Sequence, residues 1–172
     1  MKHVLIVGAQ GVGKSTLIGK VLRELALPVS GYETKKEDGL SDPVLGTPVY
    51  IYPAGKEHVP SADRLLGYRA CRNPVTYSEA FDRFADRLNE EEDSGIVVLD
   101  EIGFMESCAE RFRSAIMKKL DGDVPVIAAV KNVDTPFLCE VRAHPKCRCF
   151  FIDRENRDAL CEQVLAFFRE EL

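Results

Sequence analysis

Short apolar runs alternate with amphipathic segments along the chain. The apolar runs cover residues 3–7, 95–100, 124–130 and 149–153, and they are typical of strands buried on both faces of a sheet. Between these runs, apolar residues recur every three or four positions, as they do on one face of a helix. Strands that alternate with helices predict an α/β domain with a mostly parallel sheet flanked by helices.

Four positions carry the signature of a helix start. Thr76 and Ser107 are each followed three residues later by a glutamate, which is the spacing of a capping box. Thr135 precedes a proline, and proline is favoured in the first turn of a helix. Asn156 precedes the last amphipathic segment. We therefore expect helices to begin at these four points.

The stretch from about residue 30 to 55 follows a different pattern. Residues 31–36 and 48–52 are rich in tyrosine and read as extended segments around a polar turn at Asp38-Gly39, which predicts an antiparallel hairpin. Residues 54–74 have no clear period, and we expect a loop there, with room for one short element. Since no internal repeat is present, the pattern predicts a single domain over residues 1–172 with an inserted β-hairpin.

Composition and charge exclude several classes of protein. The chain has 172 residues, of which 45% are apolar, a net charge of -5 and a pI near 5.3. An acidic chain of this kind has no broad basic footprint for nucleic acid, and no apolar run approaches the roughly 20 residues that span a bilayer. We expect a cytoplasmic protein without a membrane anchor, whose six cysteines are reduced thiols. The sequence indicates no particular protein partner.

A phosphate-binding motif lies between the first predicted strand and the first predicted helix. Residues 8–15 read GAQGVGKS and match G-x-x-x-x-G-K-[ST] at every fixed position. In such a P-loop the backbone N–H groups point at the phosphates, the lysine neutralises the β and γ oxygens, and the serine hydroxyl ligates Mg²⁺. We therefore predict a P-loop NTPase domain in which Lys14 is catalytic, Ser15 binds Mg²⁺, and the nucleoside triphosphate contacts Gly8, Ala9, Gln10, Gly11, Val12, Gly13, Lys14, Ser15 and Thr16.

Two adjacent acids end the second buried strand. Asp100 closes the apolar run of residues 95–100, and Glu101 follows it directly. One carboxylate is then available for the shell of the Mg²⁺ ion and the other for an attacking water molecule, as hydrolysis requires. We expect Asp100 to hold the metal and Glu101 to orient or deprotonate the water. A turn cap is the alternative role for Asp100, and a cap or an ion pair is the alternative for Glu101.

Longer motifs around these residues are those of a known family. Residues 11–17 read GVGKSTL, residues 30–34 read SGYET, residues 100–106 read DEIGFME, and residues 156–158 read NRD. In these motifs, over nearly its whole length, the chain resembles the family of small nucleoside-triphosphatases described from thermophiles and as the human cancer-related nucleoside-triphosphatase. The resemblance implies an enzyme, monomeric or weakly associating, that slowly hydrolyses ATP, GTP and other nucleotides to the diphosphate.

The resemblance also adds two residues to the predicted site. Asn156 and Arg157 match the family motif before the last helix, where they contact the base, close over the phosphates, or only cap the helix. In two places this chain departs from the family. Lys35, Lys36 and Glu37 replace the usual Glu-Val-Arg, and the strand that ends at Lys131 is not followed by the usual histidine. Family roles at those positions therefore do not transfer.

A Ras-like GTPase is one rival interpretation. Asp100-x-x-Gly103 matches the magnesium loop of that class, but guanine recognition uses Asn-Lys-x-Asp. Here residues 131–134 read KNVD, with the first two residues transposed. Selective binding of GTP is therefore not expected.

Two further interpretations stay open beside hydrolysis. A P-loop kinase needs an acceptor pocket and lid arginines, and Arg64, Arg69 and Arg72 lie in the unassigned stretch. A nucleotide-dependent adaptor would use hydrolysis only to time the release of a partner. Phosphate release without an acceptor distinguishes the hydrolase from the kinase.

An additional positive charge is expected at the γ-phosphate. An arginine finger commonly supplies it in phosphoryl transfer. Arg111, Arg113 and Arg157 are the candidates, since they lie in segments predicted to reach the carboxyl edge of the sheet.

Overall fold

The computed structural model describes residues 2–69, 75–93, 95–103 and 109–171. Within these ranges, eight strands run in chain order as β1 His3–Gly8, β2 Val29–Lys36, β3 Thr47–Pro53, β4 Leu65–Arg69, β5 Val75–Thr76, β6 Ile96–Ile102, β7 Val126–Lys131 and β8 Cys147–Phe151. Five helices accompany them: α1 Lys14–Leu25, α2 Ser78–Glu90, α3 Glu110–Asp121, α4 Pro136–Arg142 and α5 Arg157–Glu171. Short 3-10 turns cover Asp38–Leu40 and Ala62–Arg64.

All eight strands belong to one sheet, in the order β5-β4-β3-β2-β6-β7-β1-β8. The five strands from β2 to β8 in this order are parallel to one another. The carboxyl ends of parallel strands meet at one edge of the sheet, which is where open α/β sheets bind their ligands. The predicted α/β class with a mostly parallel sheet is confirmed, and the sheet brings the ends of β1, β6 and β7 side by side.

The antiparallel part of the sheet is larger than the sequence indicated. The predicted hairpin is confirmed as β2 and β3, and β2 also pairs in parallel with β6, which makes the hairpin continuous with the main sheet. β3 then pairs with β4, and β4 with β5. The short element expected within residues 54–74 is β4, which extends the sheet, and the 3-10 turn Ala62–Arg64 precedes it.

Two apolar layers cover the sheet. On one face, α2, α3 and α4 pack through buried residues that include Phe81, Phe112 and Leu138. On the other face, α1 and α5 pack through residues that include Ile18 and Phe168. Burying one such side chain contributes about 1.5 to 3 kcal/mol, so the helices fix the strand ends firmly in place. Among the described ranges, none of the helices has both the length and the apolar character needed to span a bilayer.

The predicted helix starts met different outcomes. At α4 the Thr135 hydroxyl accepts a hydrogen bond from the Leu138 N–H at 3.2 Å, so this cap is confirmed. The capping box at Thr76 was wrong, because Thr76 lies in β5 and α2 begins two residues later without a side-chain cap. Ser107 lies outside the described residues, and the helix expected after it begins at Glu110.

Gly31 allows β2 to approach β6, and this contact generates a stability prediction. Gly31 has a φ of +98°, and a Cβ there would lie 2.1 Å from the carbonyl oxygen of Val98. We expect Gly31→Ala to lower the free energy of unfolding by at least about 2 kcal/mol, because it adds backbone strain and a clash with main-chain atoms. Urea unfolding measures the change.

Gly39→Ala is the matched control for that substitution. Gly39 lies in an exposed turn, and a Cβ there would meet no heavy atom within 4 Å. Its effect on the free energy of unfolding should stay within about 0.5 kcal/mol. Equal effects of the two substitutions would contradict the close approach of β2 to β6.

Candidate nucleotide-binding site

The P-loop connects the end of β1 to the start of α1. Gly11 and Gly13 have φ values of +74° and +108°, which side chains with a Cβ rarely adopt. The first turn of α1 carries no acidic residue, and Gly13 provides no side-chain cap. The N–H groups at this helix end are therefore available to an anion, and the helix dipole favours negative charge there.

Lys14 is folded back over the loop. Its side chain is 5% exposed, and Nζ donates to the carbonyl oxygens of Gly8 at 2.9 Å and Ala9 at 2.8 Å. The same Nζ lies 3.1 Å from Oε2 of Glu101. A carboxylate of this chain therefore contacts the ammonium group that a P-loop lysine offers to phosphate oxygens.

Glu101 is held from three sides at the end of β6. Its second carboxylate oxygen, Oε1, lies 3.3 Å from Nζ of Lys131 at the end of β7. Its backbone N–H donates to Oγ1 of Thr34 on β2 at 3.2 Å. The register of β6 against β7 shifts between Asp100 and Ile102, so Glu101 has no partner in β7. The shift leaves two consecutive acids at the mouth of the site.

Asp100 and Ser15 form the predicted metal-binding pair. The Ser15 hydroxyl donates to Oδ1 of Asp100 at 3.1 Å, and Asp100 is only 3% exposed. Burial raises the pKa of Asp100 to about 6, against the opposing effects of the Ser15 hydrogen bond and the positive charge of Lys35. The negative charge of Glu101 raises the same pKa further. The buried carboxylate therefore lacks full compensation for its charge.

A cavity of about 170 Å³ opens in front of these groups. Ser15, Asp100, Glu101 and Lys131 line one side of it, and residues of β2, β3, β4 and α2 line the other. Arg69 at the end of β4 also lines the cavity and donates to the side-chain oxygen of Gln10 in the P-loop. The antiparallel strands therefore close the site on the side away from α1.

Most of the remaining P-loop residues line two further grooves. Gly8, Ala9, Gln10 and Val12 line a groove of about 470 Å³ with Asn132 and residues 151–154. Val12 itself is buried in the core cluster that includes α1 and α5. Gly13 and Thr16 line a groove of about 180 Å³ on the side of α5.

The structure separates the roles of Asn156 and Arg157. Arg157 begins α5, lines the smaller groove, and its Cδ lies 3.9 Å from where a Cβ on Gly13 would stand. The Asn156 side chain instead accepts from the Asp153 N–H at 3.0 Å and donates to the Phe151 carbonyl at 2.9 Å. Its backbone carbonyl accepts the first bond of α5, from Leu160. Asn156 therefore stands at the cap position, but its side chain braces the preceding loop.

The expected arginines are only partly supported. Arg111 pairs with Asp86 on α2, and the Arg113 guanidinium lies 5.8 Å from the ring of Phe137. Neither residue lines the cavity beside the P-loop, so the described part of the structure gives no support to placing either at the γ-phosphate. Arg157 alone of the three adjoins the loop.

Sequence reasoning did not include two cations of the cavity wall in the predicted site. Lys131 was considered only as the end of a strand that lacks the usual following histidine and as part of residues 131–134, and Arg69 only as a possible kinase lid residue. The available signal for Lys131 was its place at the end of a buried strand, as for Asp100. Arg64 donates to the backbone of Val59 and does not line the cavity, and Arg72 lies outside the described residues.

The raised pKa of Asp100 predicts a pH-dependent cost to stability. Since the native state holds this proton more tightly than the unfolded chain, the contribution of Asp100 is favourable below about pH 4 and is lost as the pH rises through about 6. A shift of about two units corresponds to up to about 3 kcal/mol. Without nucleotide and Mg²⁺, Asp100→Asn should therefore be more stable than the wild type at pH 7.5 and equal to it near pH 4.

Thermal and urea unfolding at the two pH values test this expectation. Asp134→Asn is the control, because the Asp134 side chain is 88% exposed. Its stability should stay within about 0.5 kcal/mol of the wild type at both pH values. If Asp100→Asn were less stable than the wild type at pH 7.5, burial of an uncompensated charge at this position would be disproved.

Comparison with known proteins gives a consistent result. The chain is 28% identical over 170 residues to the nucleoside-triphosphatase THEP1 of Thermotoga sp. (strain RQ2), covering 96% of this chain and 95% of that protein. It is also 28% identical to the cancer-related nucleoside-triphosphatase homolog of Mus musculus, over 96% of this chain and 95% of the mouse protein.

Solved structures agree on the fold. The solution structure of a human cancer-related nucleoside triphosphatase matches all of both chains with a TM-score of 0.69 and 25% identity. The crystal structure of THEP1 from Aquifex aeolicus matches 96% of this chain and 98% of that one, with a TM-score of 0.70 and 21% identity. A family model described as NTPase matches residues 3–165. The chain belongs to this NTPase family, whose curated relatives are nucleoside-triphosphatases.

Proposed function

We propose that this enzyme hydrolyses ATP, GTP and other nucleoside triphosphates to the diphosphate and phosphate in a Mg²⁺-dependent reaction. The contact between Glu101 and Lys14 carries the proposal, because it puts a carboxylate directly beside the ammonium group that binds the γ-phosphate of a nucleotide. A carboxylate at that place is close to the atom that water must attack.

The donor set at Ser15 and Asp100 fits Mg²⁺. Both residues offer oxygen atoms, which this hard cation prefers, and sites of this kind take one or two protein oxygens together with substrate phosphates and water. The 3.1 Å hydrogen bond already holds the two oxygens together. When bound, Mg²⁺ neutralises charge on the β- and γ-phosphate oxygens. The ionised form of the buried Asp100 would gain the positive partner that it lacks.

The residues of this chain supply the remaining steps of hydrolysis. The P-loop N–H groups and Lys14 hold the phosphates, and the triphosphate takes the place of Glu101 on Lys14. The released carboxylate then orients a water molecule and accepts its proton as the water oxygen bonds to the γ-phosphorus. The bond from that phosphorus to the β–γ bridging oxygen breaks, and the diphosphate leaves.

The position of Lys131 supports broad use of bases. In a Ras-like site the lysine of Asn-Lys-x-Asp lies along the guanine, whereas here Lys131 Nζ pairs with Glu101. Of Lys131 and Asn132, only Asn132 lines the groove beside the P-loop. We assign Arg157 and Thr16, which line the groove on the side of α5, to the nucleoside part of the substrate, where a guanidinium plane stacks on any base.

A phosphate-release assay tests the proposed function. The purified protein is incubated with ATP, GTP, CTP or UTP and no acceptor, with Mg²⁺ or with EDTA. Phosphate should appear from each nucleotide only with Mg²⁺, and Lys14→Ala should abolish it while the protein stays folded. No phosphate from any nucleotide, or normal hydrolysis by Lys14→Ala, would refute the assignment.

A P-loop kinase remains the second candidate, because further cations line the cavity beside Glu101. Lys35 and Arg69 are among its lining residues, and both can bind an anionic acceptor. The two functions separate in one experiment. In hydrolysis, the labelled γ-phosphate appears as inorganic phosphate whether or not an acceptor is present. In a kinase, the label appears on the added acceptor, and no label is transferred when the acceptor is left out.

Glu101→Gln is expected to uncouple turnover from binding. The amide keeps the shape of the side chain but cannot accept the proton, so turnover should fall by about 10² to 10⁴. Affinity for the triphosphate should stay within a few-fold of the wild type. Single-turnover hydrolysis and equilibrium binding, measured on the same preparation, provide the two quantities.

Asp100→Asn serves as the comparison variant. It should weaken Mg²⁺-dependent binding as well as turnover, because Asp100 is assigned to the metal shell. Wild-type hydrolysis by Glu101→Gln would mean that Glu101 only forms ion pairs.

A further inference from the structure

We infer that Lys131 is a catalytic residue that contacts the γ-phosphate and supplies the second positive charge expected from an arginine. The inference rests on the proposed hydrolysis of nucleoside triphosphates at this P-loop and adds a role that the sequence motifs do not assign. It also identifies the residue that takes the place of Arg111 and Arg113, which lie elsewhere.

Two ammonium groups bracket one carboxylate in the structure. Lys14 Nζ lies 3.1 Å from one oxygen of Glu101, and Lys131 Nζ lies 3.3 Å from the other. A γ-phosphate also presents several anionic oxygens to the cations around it. In P-loop proteins the lysine of the loop binds the γ-phosphate. The Glu101 carboxylate, which lies between the two lysines, therefore occupies the position of the γ-phosphate or lies next to it. Lys131 is then within reach of the same phosphate.

The burial of Lys131 argues against an incidental surface position. Lys131 is 6% exposed, and a buried ammonium group is costly unless anions face it. Lys14, also buried, competes for the same carboxylate. When the triphosphate replaces Glu101 on Lys14, negative charge increases in front of Lys131. The γ-phosphate oxygens on which charge develops would then face a buried ammonium group, where electrostatic stabilisation is stronger than in water.

The neighbouring backbone fixes the position of the side chain. Lys131 ends β7 and pairs in register with Gly8, the first residue of the P-loop. A Cβ on Gly103 would lie 3.2 Å from Lys131 Cδ and 3.5 Å from its Nζ. The stem therefore passes closely over a glycine, which directs the ammonium group toward Glu101 and the cavity. A lysine held in this way needs little reorganisation to stabilise a transition state.

The proposal predicts a selective loss of contact with the third phosphate. Lys131→Met should bind ADP within about twofold of the wild type, and should bind the imido analogue of ATP about tenfold more weakly with Mg²⁺ present. Turnover should fall by about 10² or more, the usual cost of removing one transition-state donor. Lys131→Arg should recover part of both losses, because it keeps the charge. Calorimetry and single-turnover hydrolysis give these values.

Two further variants separate this role from a structural one. Lys119→Met removes an equally buried lysine, which is 7% exposed and paired with Asp93 at 2.6 Å beside the amino end of β6. It should leave turnover and both affinities unchanged. Gly103→Ala keeps the charge of Lys131 but displaces its stem, and it should lower turnover in the same direction by a smaller factor.

The outcomes distinguish this inference from the proposed function. If the wild type neither binds the analogue nor hydrolyses ATP, the proposed function itself fails. If the wild type does both and Lys131→Met loses ADP and analogue binding equally, or keeps full turnover, Lys131 is only a counter-ion of Glu101. If Lys131→Met does not fold, Lys131→Gln takes its place, since normal turnover in that variant would also overturn the inference.

Discussion

The site depends on one electrostatic constraint, the carboxylate of Glu101 held between Lys14 and Lys131. These three residues come from the P-loop, β6 and β7, so the contact ties together the ends of three strands that the parallel sheet has aligned. In the proposed mechanism the triphosphate displaces this carboxylate from Lys14. Binding of the substrate and release of the proposed base are then coupled.

The same arrangement has a cost in stability. Asp100 is buried beside Glu101, and the raised pKa shows that the hydrogen bond from Ser15 and the charge of Lys35 do not compensate its charge fully. Active sites commonly keep such destabilising groups because function requires them. The apolar layers on both faces of the sheet provide the stability that tolerates this cost. Nucleotide with Mg²⁺ should relieve the cost, so ligand binding and stability are linked.

The antiparallel strands give this P-loop site its second wall. β2 pairs with β6 and places Thr34 under the backbone of Glu101, while β4 brings Arg69 to Gln10 of the loop. A hydrolase must admit a water molecule at the γ-phosphate, whereas a kinase must admit an acceptor. Whether the cavity beside these strands admits only water or also an acceptor therefore distinguishes the two functions, and the cations that line it would bind an anionic acceptor.

The sequence by itself determined the P-loop, the strand-ending acids and the α/β class, because each follows from local spacing. The motif of residues 8–15 is recognised from its own spacing, and a strand of residues 95–100 carries its terminal acid wherever it pairs. Only the tertiary structure decided the rest. Thr76 satisfied the capping-box spacing, yet pairing with Gly67 drew it into β5. Lys131 lies 30 residues from Glu101 in sequence, and the parallel pairing of β6 with β7 alone brings their charges together. Contacts of this kind depend on strand order and register, which local patterns do not encode.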